Sequence, residues 1–268
     1  MHIQLLNPDG SHERLWGGEA PVNLLDNSYF AYPVNQRGGS TYTGSWIYSL
    51  DRWLISGVTG QMTLEKTATG VTLSTANGEK LYFAQRIALA MYDAAKTYTQ
   101  CYMDGGGQVH IIGPYVQVDT GGGFAQFAYY VDSGTTMRWA AVYEGAYTLD
   151  TLPPYTPKGY VTELMRCLRY ALAYDTIERV RACVCSTNYI DFHVATPVPL
   201  RIVPSIEQNA MKIIPLNGGT AVDGFAFSIL GRTASYLRVR ATKTAHGLTD
   251  AVLELASVGT RTVFTADL

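Results

Sequence analysis

Aromatic side chains are the residues of this sequence with the clearest capacity for binding chemistry. The chain of 268 residues contains 19 tyrosines, 4 tryptophans and 8 phenylalanines. An exposed aromatic ring stacks on the face of a sugar, while neighbouring hydroxyl and amide groups orient the sugar through hydrogen bonds. The candidate glycan-binding residues are Trp46, Tyr48, Trp53, Tyr129, Tyr130, Trp139 and Tyr143.

Packing in a core or in a subunit interface is the alternative for each of these aromatic residues, because aromatic side chains are frequent in both environments. The neighbours Tyr129 and Tyr130 carry more information than the others. Adjacent residues of a strand face opposite sides, so one of these two rings is expected to point outward or into a neighbouring subunit.

The arrangement of acidic residues does not favour catalysis. Hydrolysis of a glycan needs two carboxylates that flank the scissile bond. The acidic residues considered are Asp93, Asp104, Asp119, Asp132, Glu144 and Asp150. They are scattered, and most of them sit at turn ends, where aspartate is a common turn former. No motif for nucleophilic catalysis is visible, so we predict no enzymatic activity, with a glycan depolymerase as an alternative.

No cofactor and no metal ion is predicted. His110 and His193 each lie in an apolar strand without a second ligand at metal-binding spacing. Both are therefore expected in a core or a subunit interface. The oxygens of Asp26, Asn27 and Asp51 suit calcium chemically, but their spacing is not diagnostic of a calcium site.

The four cysteines are Cys101, Cys167, Cys183 and Cys185. Cys183 and Cys185 are separated by one residue of a predicted strand, so their thiols share one face. One such pair with two distant single cysteines matches no standard zinc spacing. We predict four free thiols that act as small buried hydrophobic side chains in a reducing compartment.

The composition argues against several classes of protein. Charged residues make up 16% of the chain, and the formal net charge is −2. The sequence has no run of lysine and arginine, which argues against a nucleic-acid partner. It also has no stretch of about 18 apolar residues, so no membrane insertion is predicted. Residues 1–16 include Asp9, Glu13 and Arg14 and lack the apolar segment of a secretory signal, so synthesis in a cytosol is expected.

Abundant tyrosine, threonine, serine and glycine favour strands and tight turns. In the first half of the chain, alternating runs predict strands at 70–76, 80–87, 96–103, 108–119, 124–131 and 137–143. Asn77 and Gly78 predict a two-residue hairpin between the first two of these strands. Gly113 and Pro114 predict a break or bulge in the run at 108–119. Short strands divided by turns indicate an antiparallel sandwich.

A proline-rich connector at 152–159 separates this region from the second half. Apolar residues then recur at helical spacing, which predicts one amphipathic helix that packs on a sheet edge or between domains. They are Val161, Leu164, Met165, Leu168 and Leu172. Further strands are predicted at 180–186, 189–195, 210–216, 225–230, 235–242, 251–255 and 260–265. Prolines exclude the segment at 197–204 from a central strand.

Together these elements predict a mainly β chain. Two antiparallel β-sandwich or jelly-roll-like regions are joined by a proline-rich connector and one α-helix. Residues 1–21 have turn clusters without a repeated apolar period, and we expect an irregular N-terminal arm. Residues 22–152 are assigned to the first sandwich. Residues 153–268 are assigned to the connector, the helix and a C-terminal β domain.

Several segments of the sequence resemble phage and prophage tail-fibre proteins. They are NLLDNSYF at 23–30, PVNQRG at 33–38, DRW at 51–53, KTYT at 96–99, AVYEG at 141–145, LPPYTPK at 152–158, the helical segment at 163–170 and the proline-bracketed segment at 197–204. They occur in the order typical of that family and span about residues 22–206. The resemblance implies a jelly-roll, carbohydrate-binding-like sandwich in the first half.

The same resemblance implies a function on a virus particle. The expected protein is a structural component of a bacteriophage virion, made in the host bacterial cytoplasm. It would be a tail-associated fibre or receptor-binding protein that attaches to host cell-surface glycan. It is expected to be a homotrimer, with the N-terminal arm contacting other virion proteins or subunits. A head fibre or decoration protein without a receptor role is the first alternative.

Overall fold

The computed structural model describes residues 3–6, 12–15, 21–57, 60–175, 179–216, 220–256 and 260–267. Strands account for 48% of the chain and helices for 5%, and the sheets are antiparallel. The predicted class, a mainly β chain of sandwich type, is therefore confirmed. Within the described ranges, no helix is long and apolar enough to cross a membrane.

Near the N-terminus, β1 (Ile3–Leu6) and β2 (His12–Leu15) pair in a two-stranded antiparallel sheet. The prediction of an irregular arm is wrong for these two segments. A strand of four residues is too short to display the period of two on which the prediction relied. The turn cluster at 7–11 lies outside the described residues.

Two sheets build the first β region around one core. Its strands are β3 (Thr41–Thr43), β4 (Ile47–Tyr48), β5 (Trp53–Gly57), β6 (Gln61–Thr67), β7 (Gly70–Thr75), β8 (Leu81–Ala88), β9 (Tyr98–Asp104), β10 (Val109–Ile112), β11 (Val116–Asp119), β12 (Phe124–Val131) and β13 (Thr135–Glu144), with a 3₁₀ helix at Leu89–Met91. One sheet has the order β10-β9-β13-β7-β6-β3 and the other β11-β12-β8-β5-β4. Trp53, Phe83 and Tyr129 of the five-stranded sheet meet Leu73 and Met137 of the six-stranded sheet in the core.

The turn at Asn77 and Gly78 does not connect a hairpin, so this prediction is wrong. Gly78 has a φ of 76° and donates its backbone N–H to the carbonyl oxygen of Thr75. However, β7 pairs with β6 and β13, whereas β8 pairs with β5 and β12. Both strands bury alternate residues in the same core from opposite sheets, so the chain crosses the sandwich at this turn. The predicted break at 113–114 is confirmed, because β10 and β11 also lie in different sheets.

The second β region also has two sheets and its own core. Its elements are α1 (Tyr160–Cys167), β14 (Ala171–Tyr174), β15 (Arg179–Val184), β16 (Tyr189–Ala195), β17 (Ser205–Gln208), β18 (Lys212–Pro215), β19 (Ala226–Arg232), β20 (Tyr236–Thr242), β21 (Ala251–Glu254) and β22 (Thr262–Thr265). The sheet orders are β14-β22-β17 and β18-β21-β15-β16-β20-β19. Leu172 and Phe264 of the smaller sheet pack in one cluster with Phe192, Leu237 and Val239 of the larger sheet.

The helix α1 is shorter than predicted, and part of the face that was expected to be buried is exposed. It ends at Cys167, and Leu172 belongs to β14. The side chains of Val161 and Met165 are 71% and 45% exposed, whereas Glu163 is buried. Glu163 is buried because its carboxylate accepts a hydrogen bond from the backbone N–H of Asn27 at 2.7 Å. The apolar spacing therefore predicted a helix at this position, but of its apolar face only Leu164 and Leu168 are partly buried, and Leu168 packs on the second core.

The side chain of Asn27 connects three segments of the first β region by hydrogen bonds, close to the second region. Its side-chain amide donates to the carbonyl oxygens of Val34 and Asp51 at 2.8 Å each. Its side-chain oxygen accepts from the backbone N–H of Val34 at 2.7 Å. The φ of Asn27 is 49°, a left-handed conformation that asparagine tolerates better than most residues. The segments at 23–30, 33–38 and 51–53 are thus joined through one side chain.

Arg37 lies buried at the boundary between the two β regions. Its guanidinium contacts the carboxylate of Asp51 in the first region at 3.5 Å and that of Glu207 in the second at 3.0 Å. It also pairs with Asp267, which follows β22. Burial alone would lower the pKa of Arg37, but the charges of Asp267, Glu207 and Asp51 outweigh burial and raise it. Arg37 is therefore held as a cation between the two regions.

Two neighbours of Arg37 extend this boundary. The guanidinium carbon of Arg52 lies 3.6 Å from the centroid of the Tyr170 ring, and its Nη2 donates to the carbonyl oxygen of Arg86 at 2.6 Å. The side-chain amide of Gln36 donates to the carbonyl oxygen of Ala171 at 2.9 Å. The contact of Arg52 with Tyr170 and the hydrogen bond of Gln36 to Ala171 thus join the two β regions beside the ion pairs, whereas the bond to Arg86 stays within the first region.

The substitution Arg37→Ala tests the importance of this boundary. It leaves the buried carboxylates of Asp51 and Asp267 without their shared cation. Removal of one partner of a buried ion pair lowers the free energy of unfolding by about 3–5 kcal/mol. Urea denaturation is expected to show that loss in the free energy of unfolding. The control Arg181→Ala removes an exposed arginine and should change stability by less than about 0.5 kcal/mol. Equal stability of both variants would contradict the prediction.

Asp191 forms a second ion-pair cluster, on the six-stranded sheet of the second region. Its buried carboxylate accepts hydrogen bonds from Arg238 at 2.6 Å and Arg240 at 2.7 Å. The hydrogen bond from Arg240 and the adjoining one from Arg238 outweigh the effect of burial and lower the pKa of Asp191 from 3.8 to about 2. A carboxyl with a lowered folded-state pKa stabilises the fold above its ordinary pKa, and this stabilisation is lost as the pH falls towards 2.

The substitution Asp191→Asn should remove this pH dependence. Between about pH 6 and pH 2, the wild type is expected to lose about 2 kcal/mol more unfolding free energy than the variant does. Other carboxylates titrate in both proteins, so the difference between the two pH responses isolates Asp191. Urea denaturation at the two pH values measures it, with the exposed Asp150→Asn as control. Parallel pH responses of the wild type and Asp191→Asn would refute the assignment.

Candidate functional site

Four aromatic rings form a surface on the outer face of the five-stranded sheet, and we name them the Tyr82 platform. They are Trp46, Tyr82, Tyr115 and Tyr130. The strand register explains why these rings point outward. Tyr82 lies directly opposite Tyr130 on β12, and the next residues along the two strands, Phe83 and Tyr129, are paired in the core. Side chains alternate along a strand, so burial of one pair directs the other pair to the surface.

The rings of the Tyr82 platform are in mutual contact. The centroid of Tyr82 lies 4.6 Å from that of Tyr130 with stacked rings. It lies 5.7 Å from Tyr115 and 5.5 Å from Trp46, with tilted rings. These separations are typical of favourable aromatic pairs. Tyr82 is therefore the centre of a continuous surface rather than one of four isolated rings.

The Tyr82 platform is accessible and has polar groups at its border. Tyr115 and Tyr130 are each 49% exposed, while Trp46 and Tyr82 are half-buried. Lys80 places its ammonium 5.6 Å from the centroid of the Tyr130 ring. Such a combination of apolar ring faces with peripheral hydrogen-bond donors and acceptors suits a ligand that has both CH faces and hydroxyl groups.

Trp46 has an unusual backbone conformation. Its φ is 55°, in the left-handed region that most residues with a side chain avoid at a cost of about 1–2 kcal/mol. The turn just before β4 holds this conformation, next to a 3.1 Å contact between the hydroxyls of Ser45 and Ser56. Strained residues cluster at functional sites, because the surrounding structure has to compensate for them. This observation adds to the case for Trp46 as a functional residue.

A cleft of about 480 Å³ adjoins the Tyr82 platform, between the two β regions. Trp46 belongs to both surfaces, and the cleft is also lined by Tyr48, Ser205, Glu207 and Asp267. The Oδ1 atom of Asp267 is buried without a hydrogen-bond partner. This atom lies 3.8 Å from Nη1 of Arg52, and the Asp267 side chain is only 4% exposed. The accessible acceptor beside the aromatic surface is the carboxylate of Glu207, whose side chain is 30% exposed.

Tyr48 forms one wall of this cleft and is half-buried. The guanidinium carbon of Arg37 lies 4.9 Å from the centroid of its ring. Burial raises the pKa of Tyr48 to about 12, so its hydroxyl remains protonated at neutral pH. Tyr48 thus lines the cleft as a neutral tyrosine whose ring is in contact with Arg37.

Four of the predicted glycan-binding residues are buried, so their rings offer no face to a ligand at the surface. They are Trp53, Tyr129, Trp139 and Tyr143. Each ring packs on protein. Trp53 stacks on Phe83 at 4.5 Å and Trp139 stacks on Tyr155 at 4.6 Å. The other two pack in the core of the sandwich and beneath the chain that follows β13. For these four residues, surface stacking on a sugar is a wrong prediction, because their ring faces are already covered.

The structure brings together two predicted residues, Trp46 and Tyr130, with two that the sequence analysis missed. Of the pair Tyr129 and Tyr130, Tyr130 is the ring that faces outward. Tyr82 has a local signal, because it alternates with the apolar residues on either side of it. Tyr115 follows the break at 113–114 and shows no pattern that distinguishes it. Its position is set by β11, which pairs with β12 at the sheet edge.

Residues considered for metal binding have other partners. The carboxylate of Asp26 accepts from Arg166 at 2.8 Å, and that of Asp51 accepts from Gln36 at 2.7 Å and contacts Arg37. Within the part of the chain that is described, no group of three or more histidine, cysteine or acidic side chains is placed to hold a metal ion. The oxygens proposed for calcium thus serve the boundary between the β regions.

The two histidines singled out in the sequence are less buried than expected. The Nε2 atom of His110 lies 2.8 Å from Oδ2 of Asp104, and the side chain is 33% exposed. His193 is exposed and meets the ring of Tyr236 edge-on at 4.8 Å. A core position is wrong for His193, because this residue lies on the exposed face of its sheet, and a subunit interface stays a prediction.

The cysteines fall into two groups. Cys101 and Cys167 are buried as predicted. Cys183 and Cys185 are exposed, so the prediction of buried thiols is wrong for this pair. They share one face as expected, but that face is the open side of the sheet, and the half-buried side chain of Val184 lies on the other side.

In comparisons with known proteins, no family model, no curated protein and no solved structure matches the chain. The Tyr82 platform and its adjoining cleft are therefore interpreted from their geometry.

Iodide quenching of fluorescence can test the placement of Trp46. The emission that the substitution Trp46→Phe removes is expected to be accessible to iodide, because the Trp46 ring is only half-buried. The emission removed by the control Trp139→Phe should be protected, because Trp139 is buried under Tyr155. Equal quenching of the two contributions would contradict the exposed position of Trp46.

Proposed function

We propose that the protein is a structural component of a bacteriophage virion, a tail-associated fibre or receptor-binding protein that attaches to host cell-surface glycan through the Tyr82 platform. The single observation that carries the glycan-binding part of this proposal is the accessible cluster of Trp46, Tyr82, Tyr115 and Tyr130 on one sheet face. The virion part rests on the resemblance of residues 22–206 to tail-fibre proteins.

Recognition would combine two kinds of contact. Sugar rings stack on Tyr115 and Tyr130, whose faces are the most accessible of the platform. Sugar hydroxyls bond to the groups at its border and in the cleft, where Glu207 supplies acceptor oxygens. Each stacked aromatic contact contributes about 0.5–1.5 kcal/mol, so one platform binds weakly. A homotrimer with three platforms would strengthen attachment by about 100-fold or more when all three sites engage one surface.

Alanine substitutions on the Tyr82 platform test this proposal. Tyr130→Ala and Tyr115→Ala are each expected to reduce binding to an array of bacterial surface polysaccharides by about tenfold, the equivalent of about 1.4 kcal/mol. The matched control is Tyr160→Ala, which removes an exposed tyrosine from α1. It should bind as the wild type does. Unchanged binding by both platform variants, or no binding by the wild type, would refute the glycan site.

The location on the particle separates the proposed function from its first alternative. Immunogold labelling of intact virions is expected to mark the tail. Labelling of the capsid would instead support a head fibre or decoration protein. Light scattering should give the mass of a trimer, and a monomer at micromolar concentration would contradict the homotrimer. New reducing ends after incubation with a bound polysaccharide would identify a glycan depolymerase.

A further inference from the structure

Cys183 and Cys185 differ from the other two cysteines in their accessibility. Burial raises the pKa of Cys101 to about 12, and it also raises the pKa of Cys167. Both of these thiols are therefore protonated and shielded from reagents at neutral pH. Cys183 and Cys185 are exposed on the six-stranded sheet of the second region. Thiol chemistry in the folded protein is thereby confined to this pair.

The two exposed sulfur atoms are in contact. The Sγ atoms of Cys183 and Cys185 lie 3.7 Å apart, and the Cys185 thiol donates to the carbonyl oxygen of Cys183 at 3.3 Å. Side chains two residues apart in a strand point to the same side but do not have to converge. Here the rotamers of both residues bring the sulfur atoms together. A disulfide of about 2.05 Å requires them to approach by a further 1.7 Å or so.

The backbone at this position allows that approach. Strand β15 ends at Val184, so Cys183 is held in the sheet, opposite Asp191, while Cys185 lies beyond the strand. The following turn returns the chain to β16 at Tyr189. Closure therefore needs a local shift of Cys185, next to Ser186, whose backbone N–H donates to the carbonyl oxygen of Tyr189 at 3.3 Å. A disulfide with poor geometry stores strain, and such bonds are the more easily reduced ones.

A metal site is the competing use of two neighbouring thiols. Structural zinc and related sites need four ligands, of which this pair supplies two. Across the described ranges, no third histidine, cysteine or acidic side chain joins the pair in a metal-binding group. Asp191 is the nearest acidic residue in the strand register, and its carboxylate is bonded to Arg238 and Arg240. The geometry therefore favours reaction of the two thiols with each other.

We propose that Cys183 and Cys185 form a reversible dithiol–disulfide site, which a low-molecular-weight disulfide oxidises to an intramolecular disulfide. This inference is independent of the glycan site. An oxidising medium outside cells is the setting in which such a bond forms and persists. The oxidised state would close a small covalent ring across Val184 at the end of β15.

The reaction proceeds in two exchange steps. One protein thiol loses its proton, and its thiolate attacks a sulfur of the small disulfide. A mixed disulfide forms, and the small S–S bond breaks with release of one thiolate. The second protein thiolate then attacks the protein sulfur of the mixed disulfide and releases the second small thiolate. Both protons end on the released thiols, so one small disulfide is reduced as one protein disulfide forms.

The rate of this closure should increase with pH, because only thiolates attack disulfides. Partial burial, the hydrogen bond with Cys183 and the negative charge of Asp191 raise the pKa of Cys185. Less of Cys185 is therefore ionised at neutral pH than in an unperturbed thiol. Of its charged neighbours across the sheet, Asp191 acts in this direction, whereas the positive charge of Arg240 favours the Cys185 thiolate.

The test uses the reduced full-length protein and oxidised glutathione as the probe. After incubation, the intact mass is expected to be lower by two hydrogen atoms. No glutathione should remain covalently attached to the protein. Labelling of the native protein by iodoacetamide should fall from two groups per chain to none, and dithiothreitol should restore it. Tryptic digestion then locates the bond. Cleavage after Arg181 and Arg201 releases the peptide 182–201, which contains both cysteines. That peptide should carry the loss of two hydrogens.

The variants Cys183→Ser and Cys185→Ser provide matched controls. Each retains one exposed thiol, so each should accumulate a single glutathione adduct instead of losing two hydrogens. Three results for the wild type would overturn the proposal: two stable glutathione adducts on the peptide 182–201, a disulfide between two chains, or unchanged thiols under conditions in which the single variants react. The readout is covalent, so it does not depend on the outcome of any glycan-binding measurement.

Discussion

The buried guanidinium of Arg37 constrains the positions of the two β regions relative to each other, because it pairs with carboxylates from both. An unpaired ion in the interior costs several kcal/mol, so both β regions have to bring carboxylates to the same point. The first region contributes Asp51, and the second contributes Glu207 on β17 and Asp267 after β22. Pairing these carboxylates with one cation joins β17 and the segment after β22 to the turn between β4 and β5, which carries Asp51. The cleft beside Trp46 is lined by residues from both sides of this junction.

The sequence predicted most strands of the fold but not their partners. Alternation identified the runs that became β7, β8 and β12, because one face of each strand is buried. It contained no information on which sheet a strand joins, so the turn at Asn77 and Gly78 was assigned to a hairpin instead of a crossing between sheets. The helix α1 illustrates a second limit. Its apolar residues Val161 and Met165 are exposed, whereas Glu163 is buried and accepts a hydrogen bond from a distant residue, Asn27.

The candidate site was only partly predictable for a related reason. Residue type marked Trp46 and Tyr130 as capable of stacking, and type alone marked Trp53 and Trp139 equally. What separates them is the face on which each ring lies, and this depends on strand register and on the chain segment that covers the sheet. Tyr155 covers Trp139 from a connector more than ten residues further along the chain. An interaction between residues so far apart leaves no periodic signal.

The Tyr82 platform lies outside the segments that resemble tail-fibre proteins. Gln36, Arg37 and Arg52 lie in the resembling segments, and their side chains contact the second β region. Asn27 lies there too, and its side chain joins three of these segments within the first region. None of the platform residues lies in those segments. The resemblance therefore describes a scaffold and the joint between its two halves. The proposal of a glycan ligand therefore rests on the rings around Tyr82 and not on the resemblance.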